Sequence, residues 1–485
     1  MKKTTYDFCL FILRLPVGHS KALGNLVMAL SSYACSSVTG LSKSPLFHFQ
    51  YSSIADAIKH FAFTQTDRET VERLLITWCL KFHWQPQGYI TLATDKTPIR
   101  KPHSPTLKNR TLVAVPNSVI NGNKPLDIGF DYSFVNLLAD RLKSWSLPLM
   151  INHIPTDQTP NQVAGYQVCS LMADANLPFA HQPIVVNTLD RGYGAVYLQL
   201  VKKIENLVSI VNLRHGSKVY VPAYSGGKKV FGQCYHLIGS SCDKIFNKHP
   251  KTGQPYSVSQ ESICKRLADD SLSYKTTLKN GRAVIVNLRR YNNLCWRTKQ
   301  GINMVDKPFD LVCAKVLDIT THKHVFPRPL FVAAVGEKRG ELSVRDIYED
   351  YGSRYDIEPQ FRFAKQKLFL QAFQTCIAQH LHNWMNIVMM ALWMLFTARN
   401  VTTNQPEKWQ QYYERKKDAL FPNQNHTLSM SQVRKSIQKL LLTFDKKPFL
   451  PLKSKPGPGR KYGETQHKRE KYPYVKKINA KGRNP

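Results

Sequence analysis

Two short β-prone runs that each stop on an aspartate limit what this chain can fold into more than any other feature. Tyr89-Ile90-Thr91-Leu92-Ala93-Thr94 runs into Asp95, and Ile184-Val185-Val186-Asn187-Thr188-Leu189 runs into Asp190. Both read as buried strands. A helical stretch at Gln162 to Ala175 precedes the second run; a helix at Gly194 to Glu205 and a strand at Leu207 to Leu213 follow it. Strands alternating with helices imply a mixed α/β layer. Side chains at the C-terminal end of a buried strand emerge at the sheet edge. Neighbouring strands could bring two carboxylates together there, a donor set suited to hard cations. Either aspartate alone also fits a turn or a helix cap. Asp127, Asp131 and Asp140 are eligible too, without supporting context.

The rest of the chain divides by pattern. Residues 1–86 look helical, with candidate helices at Ser20 to Tyr33 and Ser53 to Phe61. A third opens on the capping box Thr66-x-x-Glu69 and carries Val71, Leu74, Leu75 and Leu80. Such a region can recognise DNA ends or serve only as packing. An α/β core begins at 87, with further strands at Thr111 to Val115 and Leu149 to His153, and runs to 213. Residues 214–305 read as a basic β-rich insertion, with 16 Lys or Arg against four Asp or Glu. Strand-like runs at Lys218 to Tyr224 and Ala283 to Leu288, and an Asn280-Gly281 hairpin signal, fall within it. The core resumes over 306–400 with strands at Leu311 to Ile319 and Leu330 to Val335, then helices from Ser343 to Arg399. A helical region follows over 401–445, including Ser429 to Phe444. Residues 446–485, with 13 Lys or Arg and two Glu, read as a disordered basic tail.

Charge narrows the class of partner. Sixty-eight Lys and Arg face 33 Asp and Glu, a formal net charge of +35. An excess of that size favours a polyanion, and nucleic acid leads the candidates over a membrane surface or ribosome. The ten cysteines are scattered singly, without C-x-x-C or zinc spacing, and read as reduced residues of a cytoplasmic protein. Arg14 cuts short the apolar run that begins at Phe8, which argues against a signal peptide. The most apolar stretch, Trp384 to Ala398, is too short to span a bilayer and reads as a buried helix. His322/His324 and His380/His382 have no evident metal partners and read as surface or core residues.

The most specific segment runs from Tyr351 to Lys365. On an ideal helix Tyr351, Arg354, Glu358 and Lys365 would fall within about 60° of one another. That face would present a carboxylate flanked by two cations and a phenol, able to ligate a metal and grip phosphates; a solvated charged face is the plain alternative. Pro359 disfavours helical geometry at Glu358, so a kink or a fresh helix start is expected there.

These residues match the signature Y-x-x-R-x-x-x-E-x-x-x-x-x-x-K (YREK), and the segment resembles the bacterial insertion-sequence transposases that carry it. The stretch Ser343 to Gln374 is similar to that family, including Phe361-Arg362-Phe363-Ala364-Lys365-Gln366. So is Asp190-Arg191-Gly192-Tyr193 closing a strand, and, more weakly, Asp95 with Thr97. The resemblance covers roughly residues 45 to 400. It implies an RNase H-like core interrupted by a β-rich insertion, with a DDE triad of Asp95, Asp190 and Glu358 holding two Mg²⁺ or Mn²⁺ ions. It implies that Tyr351, Arg354 and Lys365 bind DNA ends. Trp296 is a candidate for stacking on an unstacked base, or an ordinary core aromatic. The function implied is cut-and-paste transposition: metal-dependent cleavage at terminal inverted repeats and strand transfer into target DNA. It would be carried out by a dimer on DNA in the bacterial cytoplasm at the nucleoid, with no membrane. The rivals are a non-catalytic DNA-binding protein, such as an inactive or domesticated copy acting as a repressor, and a basic structural or RNA-binding protein.

Overall fold

A computed structural model describes residues 20–61, 88–114, 126–138, 145–175, 177–237, 261–278, 281–296, 304–399, 428–444 and 468–476, with a few single positions besides. In chain order the elements that matter are helices α1 (Ser20–Ser32) and α2 (Ser52–Lys59), and strands β1 (Ile90–Arg100), β2 (Thr111–Ala114), β3 (Leu126–Leu138) and β4 (Ser146–His153). Helix α3 (Pro160–Ala173), β5 (Val185–Leu189), α4 (Ala195–Val201) and β6 (Leu207–Asn212) follow. Next come β7 (Lys218–Ser225), β8 (Lys228–His236), β9 (Glu261–Ser262), β10 (Asp270–Thr277), β11 (Ala283–Leu294), β12 (Phe309–Asp318) and β13 (Leu330–Val335). Last are α5 (Val344–Ser353), α6 (Ile357–Lys367), α7 (Ala378–Ala398) and α8 (Met430–Phe444). The class is mixed α/β.

Two compact units share the chain. The first comprises Met1–Trp84, Lys96–Thr159 and Asp356–Pro485; the second comprises Gln85–Asp95 and Pro160–Tyr355. In the second unit the strand order is β10-β11-β12-β13-β6-β5-β1. β5 runs parallel to both β1 and β6, and every other neighbouring pair in that order is antiparallel. Val186, Val208, Ile210, Val284, Val286, Leu288, Val312 and Val332 form one buried core. β-branched side chains suit such pleated, packed surfaces. Helix α5 closes over it with Val344, Ile347 and Tyr351, residues that share one helical face. Its start is fixed by a capping box: Ser343 Oγ accepts from the Asp346 amide, and the Asp346 carboxylate accepts from the Ser343 amide.

In the first unit, β3 lies between β1 and β2, and its C-terminal half pairs with β4. Helix α7 is buried along most of its length and packs on α1, α2, α8 and β4. Its tryptophans reach main-chain acceptors: Trp393 Nε1 donates to the Pro148 carbonyl at 2.6 Å and Trp384 Nε1 to Phe369 at 3.0 Å. Among the described residues no helix is long and apolar enough to cross a membrane.

Several expectations change. β1 does not stop at Asp95 but continues to Arg100. Its pairing with β5 ends at Thr94–Leu189, and beyond that point β3 supplies the ladder. β3 itself has no counterpart in the sequence expectations, because Asp127, Gly129 and Asp131 break its apolar pattern. The expected insertion at 214–305 divides. β7, β8 and β9 form a separate small sheet, whereas β10 and β11 join the main one. The reason is alternation: Val284, Val286 and Leu288 face the core from β11. The hairpin signal holds, with Gly281 at φ 84° between antiparallel β10 and β11. The capping-box helix near 66–80 and most of the basic tail lie outside the described residues. Within the tail, however, 468–476 has no regular secondary structure but is held to a neighbouring loop. The Tyr472 amide donates to the Pro105 carbonyl at 2.8 Å and the Val475 amide to Arg110 at 2.6 Å. Arg110 Nη2 in turn donates to the Tyr472 carbonyl at 2.9 Å. Main-chain pairing orders a segment that composition alone leaves unfolded.

Gly336, just past β13, has φ 147°, and a Cβ there would lie 2.3 Å from the Leu207 carbonyl oxygen. Gly336→Ala is expected to destabilise the second unit by roughly 1–3 kcal/mol through backbone strain alone. Urea unfolding checks this; unchanged stability would mean that β13 can shift off β6 at little cost.

Candidate active site

The parallel register of β1 and β5 sets the site. Thr94 pairs with Leu189, and Asp95 and Asp190 are the next residue on each chain. The side chain of Asp95 is 19% exposed and that of Asp190 44%. Arg354 lies against both: Nη1 is 3.2 Å from Asp95 Oδ2 and Nη2 is 3.8 Å from Asp190 Oδ1. Its side chain is only 4% exposed. Burial works against its charge, but Tyr351, Asp95 and Asp190 outweigh that and raise its pKa, so the guanidinium is a fixed cation.

Helix α5 delivers this arginine. Asp350, fully buried, accepts from Tyr89 Oη at 2.8 Å and from Thr91 Oγ1 at 3.3 Å, which ties α5 to β1. One residue on, Tyr351 Oη accepts from Asn212 Nδ2 at 2.7 Å, which ties the helix to the end of β6. Burial pushes the Tyr351 phenol up to about 12, partly offset by Arg354, so it stays protonated near neutral pH. The guanidinium also lies over the rings of Tyr355, at 4.6 Å, and Tyr351, at 5.6 Å. Asp350, Asn212 and Tyr355 carried no spacing signal in the sequence.

The run from Tyr351 to Lys365 is not one continuous α-helix. α5 ends at Ser353, a 3₁₀ turn occupies Arg354–Asp356, and α6 starts at Ile357. The interruption therefore precedes Pro359, which sits in the first turn of α6, where a missing amide hydrogen costs little. Tyr351 and Arg354 are buried rather than presented on a surface. Glu358 and Lys365 belong to the first unit. Glu358 is exposed in the first turn of α6, where the helix dipole favours a carboxylate. Lys365, in the last turn, lines an open cleft of about 770 Å³ together with Arg100, His103, Arg362, Gln371 and Asp127. Trp296 is half-buried and its ring lies tilted against that of Phe309, centroids 4.7 Å apart. His322 and His324 are exposed, and His382 Nδ1 is 2.7 Å from Tyr132 Oη.

Among the described residues no group of three His, Cys, Asp or Glu could hold a metal ion. Asp95 and Asp190 nevertheless converge on one positive charge, and the Arg354 guanidinium stands where a cation would. Two carboxylates completed by water suit Mg²⁺, which rarely relies on an all-protein cage.

Arg354→Gln is expected to remove the cation that lies against both carboxylates. The loss should be roughly 1–3 kcal/mol, below the full cost of breaking a buried pair because Asp190 is partly solvated. Mn²⁺ or Mg²⁺ should then raise the melting temperature of the variant more than that of the wild type, since bound ligand stabilises by mass action. Equal shifts in the two proteins would mean that the carboxylates do not take up a divalent ion.

No protein-family model matches the chain, and no curated protein matches its sequence.

Proposed function

We propose that this protein is a metal-dependent DDE transposase whose core is RNase H-like. The observation that carries the reading is the pair Asp95 and Asp190, side by side where β1 leaves β5 and converging on one positive charge. The resemblance of the Tyr351–Lys365 segment assigns the third carboxylate to Glu358. Two Mg²⁺ or Mn²⁺ ions, when bound, would supply an activated water or 3′-hydroxyl and relieve charge on the leaving oxygen. The chain's own part is to orient the carboxylates. Arg354 does so by hydrogen-bonding Asp95, and Asp350 and Asn212 hold the helix that carries Arg354. Lys365, Arg362 and Arg100 offer cations to DNA phosphates, and the net charge of +35 favours DNA as partner. The terminal repeats of its own element, a target duplex, a dimer on DNA and a place at the bacterial nucleoid follow from the same reading.

A second reading, DNA binding without catalysis, has one observation in its favour. Arg354 already pairs with both aspartates, as in a structural ion pair.

The test is cleavage of labelled duplexes carrying the sequences that flank the reading frame, in Mg²⁺ or Mn²⁺. Asp95→Asn, Asp190→Asn and Glu358→Gln should each reduce cutting by about 10²-fold or more, the scale on which loss of one charge-stabilising group acts. Gel shifts in Ca²⁺ should be unchanged. Binding without cutting by the wild type would favour the second reading, and wild-type cutting by Glu358→Gln would remove that residue from the triad.

Binding itself should weaken steeply with salt, because bound cations displace counterions from the phosphates. Arg362→Ala and Lys365→Ala should each flatten the log–log slope by roughly one unit. Unaltered slopes would take the cleft out of the DNA contact.

A further inference from the structure

The cysteines are scattered in the sequence, yet two of them meet. Cys264 lies on the 3₁₀ turn Ile263–Lys265 and Cys313 on β12, and their sulfurs are 3.8 Å apart. Cys313 is 2% exposed, whereas Cys264 is partly open to solvent. The turn is held in place: Ser262 Oγ accepts from the Cys264 amide at 3.3 Å, and Arg289 Nη1 donates to the Cys264 carbonyl at 3.2 Å. β11 fixes the other partner, since Arg289 pairs with Cys313 across the ladder.

We propose that Cys264 and Cys313 form a peroxide-reactive dithiol, with Cys264 the attacking sulfur and Cys313 the resolving one, which closes to an intramolecular disulfide. The environment supports this division of roles. The hydrogen bond from the Cys313 thiol lowers the pKa of Cys264 despite burial, with Lys315 and Arg289 adding to the effect, while the same bond and burial raise that of Cys313. A lowered pKa and access to solvent are what make one thiol react ahead of others. In the first step the Cys264 thiolate attacks one oxygen of a hydroperoxide. An S–O bond forms, the O–O bond breaks, and the departing oxygen leaves as an alcohol or water once protonated. In the second step the Cys313 sulfur attacks the sulfenic sulfur. The S–S bond forms, and hydroxide leaves with the Cys313 proton as water. The two sulfurs give up two electrons in all, and the peroxide accepts them. Closure to a bond of about 2.05 Å needs the sulfurs to approach by roughly 2 Å, which rotation of the Cys264 side chain about its Cα–Cβ bond can supply without moving the turn. The bridge would fasten the turn to the main sheet.

The experiment treats the native full-length protein with a small excess of hydrogen peroxide. Remaining thiols are blocked with N-ethylmaleimide before unfolding, and the digest is mapped without reductant. The expected result is one crosslinked species joining the Cys264 and Cys313 peptides, removed by dithiothreitol, with Cys264 consumed about tenfold faster than Cys234 or more. In Cys313→Ser the sulfenic acid should persist on Cys264, where dimedone traps it. Oxidation of Cys264 without a crosslink in the wild type would overturn the proposal. So would a Cys264 that reacts no faster than Cys234.

Discussion

The second unit is organised around a buried positive charge. A guanidinium cannot shed its charge when taken from water, so Arg354 must be met by anions and π-faces, and it is met by Asp95, Asp190, Tyr351 and Tyr355. That requirement links three elements. The two aspartates can share one cation only if β1 and β5 run parallel and in register. The cation can reach them only if α5 lies across the sheet, where Asp350 and Tyr351 bind β1 and β6. Substituting Asp95 would take one anion away from a buried cation.

The two aspartates and the strands before them were legible because an apolar β-branched run is a local signal. The continuation of β1 was not. Lys96, Thr97 and Pro98 carry no strand pattern, and their strand conformation depends on β3, which itself reads as broken by polar residues. The main helices were legible from their spacing, most with ends displaced by a residue or two, though α4 stops at Val201, short of the expected Glu205, and α7 begins at Ala378, well before Trp384. What a helical wheel could not convey was the 3₁₀ turn at Arg354–Asp356. An ideal helix would put Tyr351 and Arg354 on an open face with Glu358 and Lys365, whereas both are buried. The proximity of Cys264 and Cys313 was likewise invisible, since it arises from the return of the chain at 263 to a strand nearly fifty residues later.

Positive charge is used in two ways. Arg354, Arg290 and Arg110 are buried and consumed by carboxylates or main-chain carbonyls: Arg290 Nη2 is 2.5 Å from Asp310 Oδ2, and Arg110 donates to the carbonyls of Lys101 and Tyr472. These arginines position the chain and are not available to a polyanion. Arg362 is exposed, and beside it Arg100 and Lys365 open on the cleft. The formal charge therefore overstates what a ligand would meet, and individual exposed residues are the better guide to binding.

The first unit is assembled from three separate stretches, and this affects how the chain emerges during synthesis. Helix α1 packs on α7, with Ser31 Oγ 3.4 Å from the carbonyl of Ala391, 360 residues further along. At ribosomal speed the two are separated by roughly 20 to 70 s. Throughout that interval Leu23, Leu26, Val27 and Leu30, all fully buried in the finished fold, lack the surface that covers them. The second unit, drawn from Gln85–Asp95 and Pro160–Tyr355, has all its residues while the first still waits for its last stretch. Nascent-chain aggregation, and any demand for a holdase, should therefore fall on the N-terminal helices.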